Sequence, residues 1–574
     1  MSKDIRIKQE PISLVNPIGY SGSEHFKPAE RLDTLKGKTI GLLDNAKPRA
    51  DVILDVVKKY LESEGAICSI YEFKPHLAKP LPLKQIEHLA KADAVVGAVG
   101  DCGSCSTGLA KDAVALEKLG VPTATIYTPI FATSAAFNAT GLGLPTLPIA
   151  ILKTPTGLAG DLPADEVRGY AKKILEDIKK ILTTRDIEEL EEKYSASNSI
   201  GKGFKPALEP EVTVGKTKVT DATKDSHDIE ISVDPDPEDL MDYLEKNRAY
   251  DGLPIIPPTK DRVARMLEYS LFKPDEEILK VPPRNGVLTP RRLAANAVMA
   301  GCKPEYYPVL ETAFSAMKAV DFNLGGIVTT TGEVWPSIIV SGPYAQKIHM
   351  ESGFGLFGPG NRANVTIGRT ITLVLFGVGG AFPGAGSFAT FGNMTRRGLA
   401  FAEDPDTPWN TYHEEKGYPN QTTVTVATTI NPSLMVDESE SAENVLYLTA
   451  RHIALPGTRG DYNPGEFIIV FNPSHRQRLA KAGWTKDDIK QYLYENARQP
   501  YSILKNLGAQ VNRKRWPKWV YGNPYNGMVP FLRNPEDAII LSGGGAVAAH
   551  TAIFSTWLGN SKTQTVPLKL PTDL

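Results

Sequence analysis

Between Lys38 and Leu182 the chain alternates two hydrophobic rhythms. Short apolar runs with β-branched residues at Lys38 to Leu43, Cys68 to Glu72, Ala94 to Val99 and Thr123 to Tyr127 predict strands. The segments between them carry apolar residues at helical spacing. Val52, Ile53, Val56, Val57, Tyr60 and Leu61 share one face, and Pro82 to Ala92 and Ala110 to Leu119 predict further helices. Another helix follows Thr128-Pro-Ile-Phe-Ala-Thr-Ser134, and the amphipathic stretch Ala164 to Leu182 closes the series. Strands and helices alternating at this interval require a parallel sheet covered on both faces, so residues 37–185 read as a Rossmann/flavodoxin-like α/β domain.

Outside this block the pattern weakens. Residues 1–36 are polar and punctuated by proline, an arm with little structure of its own. Residues 186–235 are charged and poor in large apolar side chains, which predicts a helical tail and an exposed connector. A larger C-terminal α/β domain is expected over residues 236–574. It opens with a helix Pro237 to Asn247 capped by Asp236, then the proline-stiffened Asp251 to Thr259. The helix Arg291 to Ala300 runs into Gly301-Cys302-Lys-Pro-Glu305. Glu466 to His475 and Ala538 to Ala546 read as strand and turn units leading into helices, the second around His550. Both put small residues at a helix N-terminus, which suits an anion.

Composition changes the picture chiefly by exclusion. The chain has 574 residues, 41% hydrophobic and 23% charged, so it is globular and too long for one ordinary core. A formal net charge of −2 gives no basic field, which removes nucleic acid and anionic membrane from the expected partners. No early segment is ordered like a signal peptide and no apolar run is long enough to span a bilayer, so a cytoplasmic protein is expected. Oligomeric state stays open. The four cysteines, Cys68, Cys102, Cys105 and Cys302, are too few for a disulfide framework. Thiols of a reducing compartment are free, catalytic or metal-binding. With no second C-x-x-C and no close pair of histidines, zinc is not expected. No nicotinamide or flavin fingerprint is clear, and no cofactor is assigned.

The candidate chemistry lies in Asp101-Cys102-Gly-Ser104-Cys105, in the turn between the third strand and the helix after it. With Ser106 or Thr107 as N-cap, both thiols fall where unpaired N–H groups and the positive end of a helix dipole gather. A thiolate is stabilised there, which makes Cys102 a nucleophile or redox thiol with Cys105 as resolving or proton-handling partner. Ligands of such sheets bind beyond the carboxyl ends of the strands, where Asp44, Asn45, Asp101, Ser104 and Thr128 collect as substrate-binding candidates. The glycine-rich run through Asn361, Arg362 and Asn364 is a second candidate, because glycine lets N–H groups close on an anion and arginine adds a bidentate fork. Ser542-Gly-Gly-Gly545 is a weaker one. Cys302 reads either as a third thiol lining the pocket or as a small buried residue, and Cys68 as core. His349, His413, His475 and His550 can titrate near neutrality, and each is expected to be packed or on the surface. His413 would have a raised pKa were Glu414 and Glu415 close to its ring.

With Cys102-Gly-Ser-Cys105 after a strand and Asp101, the first domain resembles the family named for its U-G-S-C motif, whose first position can be selenocysteine. The similarity extends to Gly41-Leu-Leu-Asp44-Asn45-Ala-Lys47-Pro48. The second domain resembles the companion domain often attached to that motif, through Gly252-Leu-Pro-Ile-Ile-Pro-Pro258, Met299-Ala-Gly-Cys302-Lys-Pro-Glu305-Tyr306 and Phe357-Gly-Pro-Gly-Asn361-Arg362-Ala-Asn364. This chain carries sulfur at the first position. The resemblance implies thiol or selenol chemistry at Cys102 and supplies no substrate. The resulting expectation is a cysteine-dependent enzyme acting on a small polar or anionic molecule in a cleft between domains. Thiol oxidoreduction is favoured, with a thiol reductant as partner. A non-redox lyase or hydratase using Cys102 as nucleophile, and a non-catalytic protein binding a small molecule or metal, are the alternatives.

Overall fold

The seven residues Ala94–Gly100 form the middle strand of a five-stranded parallel sheet, and all of them are buried. In chain order this domain runs β1 (Thr39–Asp44), α1 (Ala50–Ser63), β2 (Ile67–Phe73), α2 (Leu83–Leu89), β3 (Ala94–Gly100), α3 (Gly103–Lys118), β4 (Thr123–Tyr127), α4 (Pro129–Gly141) and β5 (Ile149–Ile151). The strand order is β2-β1-β3-β4-β5, the flavodoxin arrangement, with every neighbouring pair parallel. The computed structural model describes residues 11–211, 213–214, 217–219, 230–233, 237–458, 463–504 and 527–571.

Strand periodicity divides the core between the two faces of the sheet. Ile40, Leu42, Ala94 and Val96 pack with α1 and with Val167, Ile178 and Ile181, while Leu43, Val95 and Tyr127 pack with α2, α3 and α4. The stretch expected as one helix from Ala164 to Leu182 is two, Ala164–Lys172 and Leu175–Thr183, which keep one buried face across the break. The strand β5, three residues long, is too short to stand out in the sequence pattern.

The later half carries two four-stranded mixed sheets. Trp335–Ser341 pairs with Leu399–Ala402 and Thr423–Thr429, and Phe467–Phe471 pairs with Ala538–Ser542 and His550–Ser555. One face of each sheet has its own apolar core, the first around Trp335 and Ile338 and the second around Ile469 and Ile540, while Ile339 and Phe401 of the first pack with Ile468 and Leu541 of the second in a shared core. The helix expected around His550 is instead a strand, in which alternating Thr551, Ile553 and Ser555 pair antiparallel with Phe467–Phe471. Pro237–Lys246 is helical as expected, whereas its proposed cap Asp236 lies outside the described residues.

The arm differs from its sequence reading. Ile12–Val15 is a strand, paired antiparallel with Glu230–Val233 of the connector. Further along, Arg31 is buried and makes a bidentate pair with Glu117 of α3 at 3.0 Å. Arg284 donates to the carbonyls of Gly19 (2.9 Å), Gly377 (2.7 Å) and Ala207, drawing arm, second domain and connector to one buried guanidinium. Among the described residues no helix is long and apolar enough to cross a membrane.

Candidate active site

The sheet order reverses between β1 and β3, where the loops after the two strands diverge to opposite sides and leave a crevice. The loop after β1 supplies Asn45 and Lys47, and the end of β3 supplies Asp101 and Cys102. Thr128 follows β4, and its N–H donates to the Gly100 carbonyl at 3.0 Å.

The helix after β3 begins about two turns earlier than its apolar spacing from Ala110 predicts. Cys102, in extended conformation, is the N-cap of α3, and Cys105 sits in the first turn. The two sulfurs form a capping box in which sulfur replaces the usual oxygens. Cys102 Sγ accepts from the Cys105 N–H at 3.4 Å, and Cys105 Sγ accepts from the Cys102 N–H at 3.1 Å. Ser106 and Thr107 therefore do not cap. The Thr107 hydroxyl lies 3.0 Å from the Gly103 carbonyl oxygen and 2.8 Å from the hydroxyl of Thr329. Of the two thiols Cys102 keeps partial exposure, and Cys105 is fully buried.

Lys47 completes the electrostatics. Its Nζ pairs with Asp101 Oδ1 at 2.9 Å, and Asp101 Oδ2 accepts from the Ala159 N–H at 3.2 Å. Hydrogen bonding from Cys105 lowers the Cys102 pKa to about 6. Burial opposes that shift, the Lys47 ammonium reinforces it, and Asp101 opposes it. Burial holds Cys105 well above the ordinary thiol range, and a thiolate on Cys102 raises it further. Burial works to lower the Lys47 pKa, but the negative charge of Cys102 and Asp101 prevails and raises it. Near neutrality the arrangement is a thiolate on Cys102, a thiol on Cys105 and an ammonium on Lys47.

The other first-domain candidates surround this group in different roles. Asn45 Nδ2 donates to the carbonyls of Val99 and Cys105, both at 3.1 Å, which ties the β1 loop to α3. Its Oδ1 and the Thr128 hydroxyl are buried with no hydrogen-bond partner among the described residues. Ser104 Oγ lies 4.0 Å from Cys102 Sγ. The Asp44 carboxylate accepts from the Ala46 N–H (2.8 Å) and the Tyr71 hydroxyl (2.8 Å), bracing its own loop.

The second domain meets the site through different residues from those expected. A Cβ on Gly103 would overlap the carbonyl oxygen of Thr329, so the first turn of α3 lies flush against that backbone. Phe388 packs on Phe131 of α4 with ring centroids 5.6 Å apart and the planes tilted by 59°. Asn361, Arg362 and Asn364 have other partners. Asn361 caps the helix Arg362–Gly377 by accepting from the Asn364 N–H at 3.0 Å. Asn364 Nδ2 donates to the carbonyls of Glu351 and Leu356, both at 3.0 Å, and Arg362 Nε donates to Gly301 O at 2.8 Å.

Cys302 is buried in the second-domain core, its sulfur 3.3 Å from the Thr370 hydroxyl, and burial raises its pKa to about 11. Its surroundings, Thr366, Thr370, Arg362 and Arg369, share no member with those of the Cys102 and Cys105 pair. The amides of Gly543 and Gly544 are taken by the carbonyls of Phe471 (3.1 Å) and Ser352 (2.8 Å). Burial lowers the pKa of His413, against the rise expected from Glu414, and His475 is likewise buried and lowered.

Sequence reasoning gave no role to Lys47, Thr329 or Phe388. The rule that ligands gather at strand ends could have found Lys47, two residues past Asn45. The contacts of Thr329 and Phe388 span more than 200 positions of sequence separation and leave no local signal.

Compared with known proteins, residues 13–184 match the model of the UGSC family. The match contains the whole thiol site of the first domain. No curated protein matches the chain.

Proposed function

Starting from the UGSC family match over residues 13–184, we propose that the chain is a cysteine-dependent enzyme that reduces a bond in a small polar or anionic substrate with the Cys102 and Cys105 pair. The observation that carries this reading is the asymmetry of the two sulfurs: one partly exposed and held as thiolate, the other buried one turn away and held as thiol. Dithiol exchange needs this division, because the attacking thiol must be ionised and reachable and the resolving thiol must wait.

In the proposed reaction the Cys102 thiolate attacks one atom of a substrate bond X–Y. A Cys102–X bond forms, and Y leaves with the bonding electron pair and takes a proton from solvent. Cys105 then loses its proton and attacks Cys102 Sγ, which expels X with the second electron pair. The substrate gains two electrons and two protons, and the pair becomes a disulfide. Lys47 neutralises the attacking sulfur and lies beside the position where the departing proton is exchanged. An external dithiol, as a reducing cytoplasm supplies, resets the pair.

The ammonium of Lys47 beside both the nucleophile and Asp101 favours a second reading, in which Cys102 adds to an activated carbon and Lys47 moves a proton, as in a lyase or hydratase. Cys105→Ser, incubated with a panel of small disulfides and peroxides, is expected to retain an adduct on Cys102 visible in the intact mass. An unmodified mass together with full activity of the variant would refute the redox reading. Free-thiol titration across a single turnover separates the two, since only the redox route consumes both thiols.

A further inference from the structure

The later half of the chain contains a charged cavity built from residues with no part in the thiol chemistry. Its volume is about 190 Å³, and Arg262, Arg265, Lys303 and Arg362 line it together with Cys302 and apolar neighbours, without a carboxylate. Three elements bring these cations together. Arg262 and Arg265 lie three residues apart on the helix Lys260–Leu267, which turns Val263 and Met266 inward and leaves both arginines on the outer side. Lys303 follows the left-handed Gly301 that ends the helix Pro290–Ala300. Arg362 is the first residue of the helix Arg362–Gly377.

Backbone carbonyls hold two of the guanidinium groups in place: Arg262 Nη1 donates to Pro257 O at 2.9 Å, and Arg362 Nε donates to Gly301 O at 2.8 Å. Neither of these contacts supplies a negative charge. Arg265 pairs with no carboxylate among the described residues, and Lys303 reaches only Glu305, at 3.7 Å and outside the lining. Cys302 adds no charge to the floor, because burial keeps its thiol protonated. Arg362 stands at the positive end of a helix dipole, where a cation is disfavoured and an anion is welcome. Glu305 offsets Lys303 in part, and the three guanidinium groups around so small a space repel one another, which a counter-charge would relieve.

We propose that this cavity binds a phosphate-type dianion, either free phosphate or the head group of a small organic phosphate. Cationic side chains from three elements line it, and their remaining N–H groups suit a tetrahedral group with several acceptor oxygens. A planar monocarboxylate would leave part of the cationic set unmatched. The proposal does not depend on the reaction assigned to the thiols.

The test is calorimetric titration of the full chain at constant ionic strength, with inorganic phosphate in one arm and glycerol 3-phosphate in the other. Saturable binding of at least one probe is expected. The double variant Arg262→Gln, Arg265→Gln is expected to weaken it about tenfold or more, as loss of charge-assisted hydrogen bonds requires. Both arginines are exposed, so the substitutions leave the fold intact, and a thermal melt of the variant checks this. Tighter binding of glycerol 3-phosphate identifies an organic phosphate as the natural source, and equal or tighter binding of inorganic phosphate identifies the free ion. Absence of saturable heat with either probe, or an unchanged affinity in the double variant, would overturn the proposal. So would loss of binding in Cys102→Ser, which would place the anion at the thiols.

Discussion

The charge state of one sulfur is set by neighbours that pull in opposite directions. Lys47 favours the Cys102 thiolate and Asp101 opposes it, so their substitutions should separate in sign. Thiolate absorbance is expected to titrate with a midpoint of about 6 in the native chain. Lys47→Met should raise that midpoint by roughly 1 unit or more, the usual size of one nearby charge, and Asp101→Asn should lower it. A midpoint unmoved by Lys47→Met would remove the lysine from the site's electrostatics. The same shift links stability to pH. The Cys102 pKa is lower folded than unfolded, so its contribution is fully present above the unfolded thiol value and is lost as pH falls through about 6. Cys105 has the opposite sign: its folded pKa is raised, and its contribution fades only at alkaline pH, above the unfolded value. Denaturant titrations should therefore show stability rising from about pH 6 towards 8.5, the ordinary thiol pKa, with the slope reduced in Cys102→Ser.

At the scale of elements, α3 does two things at once: its first turn stabilises a thiolate, and its small residues let another backbone approach. Gly103→Ala should cost about 1–3 kcal/mol or more, because the new methyl meets the backbone carbonyl of Thr329, which cannot turn aside as a flexible side chain could. Chemical denaturation measures that loss, and an unchanged midpoint would contradict the close approach. The alternation of strands and helices made the flavodoxin-like sheet legible, including the position of the thiols between β3 and α3. The start of α3 was not legible, because apolar spacing begins only at Ala110 whereas the helix is initiated by sulfur accepting N–H bonds, a role usually taken by Ser, Thr, Asp or Asn. The strand at His550 was misread as helix because glycines before it suggested a helix N-terminus, and its pairing with Phe467–Phe471 is a long-range fact. Arg362 was expected to hold an anion by its chemistry, and nothing local showed that its neighbours are Gly301 and Cys302.

At the scale of the whole molecule, the arm is a strap whose local sequence looks structureless because its partners are elsewhere. Arg284 fastens it, donating to carbonyls of Gly19, Ala207 and Gly377 from a buried position. Arg284→Met removes the side-chain donor from the carbonyls of Gly19 and Ala207, while Gly377 O keeps the Gly19 N–H, and should cost about 2 kcal/mol or more, since each abandoned buried acceptor carries a desolvation penalty. A lowered melting temperature with faster proteolysis of residues 11–36 is expected, and native-like protection of that segment would count against the clamp. The closeness of Gly103 to Thr329 has a consequence for dissecting the chain. The stretch that matches the family, residues 13–184, contains the sheet and both thiols, but the wall against their helix is furnished by residues near 329 and 388. A fragment truncated at 184 would bathe that helix turn in water, and its sulfurs would meet solvent where the backbone of Thr329 now stands.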